Sequence, residues 1–125
     1  MSLLFDSRVL IWWLTASARL PQDVMARINS GEEIVAVSAA SLFEIEFKRT
    51  AGKLACPNDL EDRIEAAGFR LLAVMPGHAV AAGRLPFHHA DPFDRLLIAQ
   101  AQCEHLTLLT ADERLRAYSV DLLLI

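Results

Sequence analysis

Four acidic residues, Asp6, Glu44, Asp94 and Asp112, lie far apart along the chain, yet each follows a short apolar run or opens a helix. Leu3 to Phe5 closes on Asp6. The β-branched run Ile34 to Val37 leads through Ser38 into a segment that carries Glu44 about two turns in. Asp94 stands in the first turn after Asp91-Pro92, and Asp112 follows Thr107 to Leu109. In an open parallel sheet, ligands bind beyond the carboxyl ends of the strands, where the strand order reverses, so these four carboxylates can converge. Unneutralised, they would repel one another and raise one another's pKa values. A divalent cation relieves that conflict, and a donor set of oxygens alone suits Mg²⁺ or Mn²⁺. Zinc is disfavoured: Cys56 and Cys103 stand alone without a C-x-x-C pair, and the adjacent His88 and His89, in an extended stretch, point to opposite sides. Surface or substrate-loop roles are expected for both histidines.

Each acid also has a purely structural reading. Asp6 can bond the amides of the next turn, as strand-terminal aspartates commonly do. Glu44 precedes Lys48 by one helical turn, the spacing of an exposed ion pair, and periodicity does not choose between Glu44 and Glu46. Asp112 can cap a short helix with Thr110. Asp94 shares a helical stripe with Leu97, Ile98 and Ala101, where an ionised carboxylate needs a cation, its own helix N-terminus or Arg95 as partner. Completion of the Asp91 cap competes evenly with a functional acid.

The elements that must position these groups alternate. Strands are expected near 3–5, 34–37, 69–74, 107–109 and 119–125. Helices are expected over 8–15, from Pro21 to Ser30-Gly31, from Ser38 to Ala51-Gly52, from Asn58-Asp59 to Ala67, over 78–84, and from Asp91 to about Glu104, with a capping-box start at Thr110-Ala-Asp112-Glu113. This order implies an α/β domain spanning 1–125, with a five-stranded parallel sheet flanked by helices on both faces and right-handed crossovers.

Composition narrows the function. With 125 residues, 54% of them hydrophobic, the chain can build one real core, and its apolar surplus points to a surface covered by a partner. No run approaches the roughly 20 apolar residues of a membrane span, and Asp6 and Arg8 interrupt any secretory signal; a cytoplasmic protein is expected. A net charge of -4 excludes a general basic coat for nucleic acid. Phosphate contacts would fall to a few placed cations, since only two lysines, Lys48 and Lys53, are present.

The segments Leu3–Leu14, Ser38–Lys48, His88–Ala101 and Leu108–Asp112, above all Asp91-Pro-Phe-Asp94-Arg-Leu-Leu-Ile-Ala-Gln-Ala101, resemble the PIN-domain ribonucleases of the VapC toxin family across essentially the whole chain. The resemblance selects Glu44 over Glu46 and implies a metal site of Asp6, Glu44, Asp94 and Asp112. It departs from the family pattern at Ser7-Arg8, where Thr-His is frequent, at Phe43, where Trp is frequent, and at Glu46, where a small or apolar residue is commoner.

What the resemblance implies is a Mg²⁺-dependent endoribonuclease that hydrolyses phosphodiester bonds in single-stranded or loop RNA by metal-activated water. Ser7 and Thr110 would hold water or phosphate, and Arg95 and Lys48 would contact substrate. It also implies a toxin restrained by an antitoxin lying along an apolar groove, and a homodimer formed through Trp12 or Trp13, Phe43 and Phe47. Two other readings are a phosphoacceptor receiver-like signalling domain and a catalytically inactive PIN domain kept for partner binding. The first wants paired acids after the first strand and a late lysine, and no lysine follows Lys53. The second is opposed by the intact Asp6, Glu44 and Asp94.

Overall fold

The computed structural model describes residues 2–125. Five strands, β1 (Ser2–Phe5), β2 (Ile34–Ser38), β3 (Arg70–Leu72), β4 (Thr107–Thr110) and β5 (Leu122–Leu124), form one sheet in the order β3-β2-β1-β4-β5, and every pairing is parallel. The chain winds outward from β1 to β3, then returns to the other side of β1 with β4. The order therefore reverses between β1 and β4, which is where such a sheet opens a crevice.

Alternation within the central strands sets the two layers of core. Leu3, Phe5, Val35, Val37 and Leu109 face one side and pack with Val9, Leu10, Val24, Ile28, Ile45, Leu60 and Ile64. These last residues come from α1 (Ser7–Leu14), α2 (Gln22–Asn29), α3 (Ala39–Thr50) and α4 (Leu60–Ala66). Leu4, Ala36 and Leu108 face the other side and meet Leu97, Ile98 and Ala101 of α6 (Pro92–Glu104), with α5 (Pro76–Arg84) packed against α6. A strand with apolar residues at consecutive positions is thus buried on both faces. No described helix is long and apolar enough to cross a membrane.

Two expectations change in detail. The third strand shrinks from 69–74 to Arg70–Leu72, because it lies at the sheet edge with Arg70 and Leu71 exposed and little to hold its ends. The last strand likewise shrinks from 119–125 to Leu122–Leu124 at the opposite edge. Trp12 and Trp13 are half-buried against the first core layer, Trp13 with its ring 4.7 Å from that of Phe69. Phe43 and Phe47 of α3 instead stand 60% and 63% exposed.

Candidate metal centre

Asp6 leaves β1 as the N-cap of α1, with its Oδ1 accepting from the Val9 amide at 2.8 Å. Its Oδ2 accepts a 2.5 Å bond from the hydroxyl of Thr110 at the end of β4. The turn reading of Asp6 is met by Oδ1, while Oδ2 is bonded to Thr110. Thr110 Oγ1 in turn accepts from the Asp112 amide at 3.1 Å, so a single hydroxyl ties the two acids across the strand reversal. Asp112 caps the short 3₁₀ helix Glu113–Ala117 through the Arg114 amide. The expected shared cap resolves accordingly: Asp112 caps, while Thr110 turns its hydroxyl hydrogen toward Asp6.

α3 starts on the Ser38 cap and carries Glu44 into the same cleft. Glu44 is buried and accepts from Lys48 Nζ at 2.7 Å, the pair that their spacing suggested. Glu46 turns away to pair with Arg49. Ser7 donates to Ser41 Oγ at 3.0 Å, linking the first turns of α1 and α3. Asp91 caps α6 through the Phe93 amide at 2.8 Å and leaves Asp94 in the first turn. Asp6, Ser7, Arg8, Glu44, Lys48, Asp91, Asp94, Asp112 and Arg114 all line one cleft at the switch point.

Arg95 does not join it. The side chain is buried beneath the loop before α6, where its guanidinium donates to the carbonyls of Leu85 at 2.7 Å and of Ala82 and Pro86 at 2.9 Å, with the Phe87 ring 4.5 Å away. The expectation that it contacts substrate is corrected. A helical neighbour of Asp94 sits about 100° round the axis, and here that direction leads to the loop. Arg95 is also no partner for the Asp94 carboxylate.

That partner is His89, for which a surface or substrate-loop role is expected from sequence. Nε2 of His89 lies 2.8 Å from Asp94 Oδ2 and 3.6 Å from Asp112 Oδ2. His88 goes the other way, its ring 5.1 Å from that of Tyr118, as adjacent extended residues should. An imidazole nitrogen therefore stands beside the acid oxygens expected to form the donor set. The spacing of residues gives no signal for this, because the path of the loop before α6 decides which side the ring faces.

Electrostatics separates the four acids. Burial, reinforced by the Asp91 charge, pushes the Asp94 carboxyl up to about 6 against the pull of His89. Burial also raises Asp6, against the hydrogen bonds from Thr110 and Val9. Asp112 is held low by Arg114, whose side chain grips both of its oxygens at 2.8 to 3.2 Å. So Lys48 serves Glu44, Arg114 serves Asp112 and His89 serves Asp94. This partly corrects the premise that only a dication lets the acids sit together. Asp6 and Asp94 still carry raised pKa values, as expected of carboxylates without a full counter-charge.

The donors fit a hard divalent ion: several carboxylates in one cleft, with His89, Asp94 and Asp112 offering ligand atoms all within 4.8 Å of one another, the one such group of three among the described residues. Asp6 and Glu44 line the cleft without joining that trio at this distance.

A PIN-domain family model matches residues 3–121. The chain belongs to the PIN-domain family. This PIN domain is 32% identical over 120 residues to ribonuclease VapC22 of Mycobacterium tuberculosis, covering 94% of this chain and 92% of that protein. Its fold is shared with the VapBC2 complex of Rickettsia felis bound to a promoter DNA fragment (TM-score 0.73, 12% identity, 98% of each chain). It is shared equally with DNA-bound VapBC of Salmonella typhimurium (TM-score 0.73, 16% identity, 98% of this chain and 97% of that one). Where the PIN domain here departs from the family pattern, Arg8 lines the cleft and Phe43 faces solvent.

Proposed function

We propose that this PIN domain is a Mg²⁺- or Mn²⁺-dependent endoribonuclease, the toxin half of a type II toxin-antitoxin module, which hydrolyses phosphodiester bonds in single-stranded or loop RNA. The observation that carries the reading is the meeting of Asp6, Glu44, Asp94 and Asp112 in one cleft at the sheet's reversal point. The relative named as a ribonuclease supports it, as do the VapBC complexes that share the fold.

The four carboxylates would hold the dication, with Thr110 bonded to Asp6 Oδ2 and Asp91 capping the start of α6 that carries Asp94. When bound, the ion would supply charge neutralisation at the scissile phosphate and a water of lowered pKa. The attacking group is water rather than a side chain. The hydroxyl hydrogens of Ser7 and Thr110 are committed to Ser41 and Asp6, and neither hydroxyl is bonded to a histidine base. Arg8, Lys48 and Arg114 at the rim supply cations for RNA phosphates, which suits a chain without a general basic coat.

Phe43 and Phe47, with rings 5.9 Å apart and Phe93 a further 5.9 Å from Phe43, form the apolar surface we assign to protein contacts, with the antitoxin and in a homodimer. RNA cleavage by the purified chain, with EDTA and then with Mg²⁺ or Mn²⁺ restored, tests the activity. Asp6→Asn, Glu44→Gln and Asp94→Asn should each abolish it, and unchanged cleavage by any of them overturns the assignment. Co-expression with a small protein from the adjoining reading frame should yield a complex in which cleavage is suppressed. Gel filtration of the isolated chain should show a dimer, and a monomer would remove the homodimer from the proposal.

A further inference from the structure

We propose that His89 is itself a ligand of the dication, giving the centre a nitrogen donor between Asp94 and Asp112 and turning its preference from Mg²⁺ toward first-row transition ions such as Mn²⁺. The proposal rests on the metal centre argued above and adds a residue to it that the four-acid set does not contain.

Three observations carry it. First, the donor atoms of His89, Asp94 and Asp112 lie within 4.8 Å of one another, closer grouped than either Asp6 or Glu44 with that trio. Neighbouring ligands about 2.1 Å from one octahedral ion sit about 3 Å apart, and His89 Nε2 stands 2.8 Å from Asp94 Oδ2 and 3.6 Å from Asp112 Oδ2. Only a small adjustment of these side chains separates that spacing from a shared ion.

Second, the ring is in place beforehand. The His89 side chain is 9% exposed, and its backbone is pinned on both sides. Its amide donates to Tyr118 Oη at 2.9 Å, and its carbonyl accepts from Arg95 Nη1 at 3.3 Å. Tyr118 also donates to the Pro86 carbonyl at 2.8 Å, so the loop that carries His89 is tied at several points. A ligand held by its surroundings loses little freedom on binding. Arg95 is thereby a positioning residue, acting through the loop.

Third, the chemistry of the donor discriminates. Mg²⁺ keeps oxygen ligands and releases water reluctantly, whereas imidazole is a good donor to first-row transition ions. Carboxylates accept both ions, and one nitrogen donor adds a preference for Mn²⁺ that oxygens alone do not give.

The test uses the full chain loaded with Mn²⁺ and reads the ion by electron spin echo envelope modulation. Wild type should show nitrogen modulation from a coordinated imidazole, replaced by the ¹⁵N pattern when histidine is ¹⁵N-labelled. His89→Ala should lose it, and His89→Gln, which retains a polar side chain of similar reach, should lose it too. By calorimetry the wild type should bind Mn²⁺ at least tenfold more tightly than Mg²⁺, and His89→Ala should narrow that ratio. Mn²⁺ bound without nitrogen modulation, or modulation that persists in the variants, overturns the inference and leaves His89 as a hydrogen-bond partner of Asp94. Failure of the wild type to bind Mn²⁺ at all overturns the metal centre along with it, so the two failures are told apart.

Discussion

His89 Nε2 and Asp94 Oδ2 meet at 2.8 Å, and this contact joins the loop before α6 to an acid that lines the cleft. Asp94 belongs to the rigid start of α6, set by the Asp91 cap and Pro92. His89 belongs to the loop that Arg95 and Tyr118 hold against that same helix. The acid is therefore presented with a partner already beside it, and its carboxyl still stays near 6 because burial outweighs the contact.

An aspartate whose folded pKa is about 6, against about 3.9 when unfolded, takes up a proton on folding between those values. Its contribution to stability is full below about pH 4 and is lost as pH rises through 6. Asp94→Asn removes the ionised state. In EDTA at pH 8 the variant should therefore be more stable than wild type by on the order of 2 kcal/mol, with the gap closing toward pH 4. Urea unfolding at both pH values measures this, and a variant less stable at pH 8 contradicts the burial argument.

The same group ties metal affinity to pH. A dication needs Asp94 ionised, so binding below pH 6 must first displace a proton. Mn²⁺ affinity should fall by at least about tenfold per pH unit well below 6, because every protonated ligand group must lose its proton, and level off at higher pH. Calorimetry in buffers of different ionisation heat should show at least about one proton released per ion near pH 5. Affinity independent of pH over that range would mean that Asp94 is not a ligand.

The topology was legible because it rests on strong local signals: apolar runs of strand length, caps at Ser38 and Asp91, and Pro92 at a helix start. Asp6 is legible as the residue that closes a strand, whereas only the family resemblance separates Glu44 from Glu46; their structural readings, as cap and ion pair, also hold in the fold. Arg95 and His89 lie elsewhere than their sequence positions suggest for one reason. Their orientation depends on the path of the loop 85–91, which no periodicity describes. A cation next to an acid in sequence looks like its partner, but neighbouring helical positions diverge. A histidine in an extended loop carries no signal of which side will meet the acids.

Arg95 should be costly to replace. Arg95→Ala strands the carbonyls of Ala82, Leu85 and Pro86 without their buried donor and leaves a cavity beside Phe87. A loss of about 3 kcal/mol is expected. Arg95→Lys should recover only part of it, because an ammonium does not reproduce the planar fork. Denaturant unfolding gives the values, and a near-neutral Arg95→Ala would show that the loop stands without this anchor.

Thr110 tests the link between the two acids across the strand reversal. Thr110→Val keeps the shape but removes the donor to Asp6 and the acceptor for the Asp112 amide. Asp6, already raised by burial, should rise further. The variant should lose about 1–2 kcal/mol of stability and bind Mn²⁺ more weakly, whereas Thr110→Ser should stay close to wild type in both. Equal behaviour of the two variants would show that the hydroxyl is dispensable.

Lys48 and Arg114 are expected to answer two assays with opposite signs. Each occupies an acid of the cleft, Lys48 on Glu44 at 2.7 Å and Arg114 on Asp112 at 2.8 Å, and so competes with any dication for the same oxygens. Both side chains are half or more exposed, so the pairs themselves add little stability. Lys48→Met and Arg114→Met should therefore leave unfolding almost unchanged while tightening Mn²⁺ binding several-fold. If the same two cations move onto RNA phosphates during turnover, their loss should raise KM for a short RNA and flatten its dependence on salt. Tighter metal with weaker substrate is the signature of residues that exchange a carboxylate for a phosphate. Variants with unchanged KM would confine Lys48 and Arg114 to balancing charge in the resting protein.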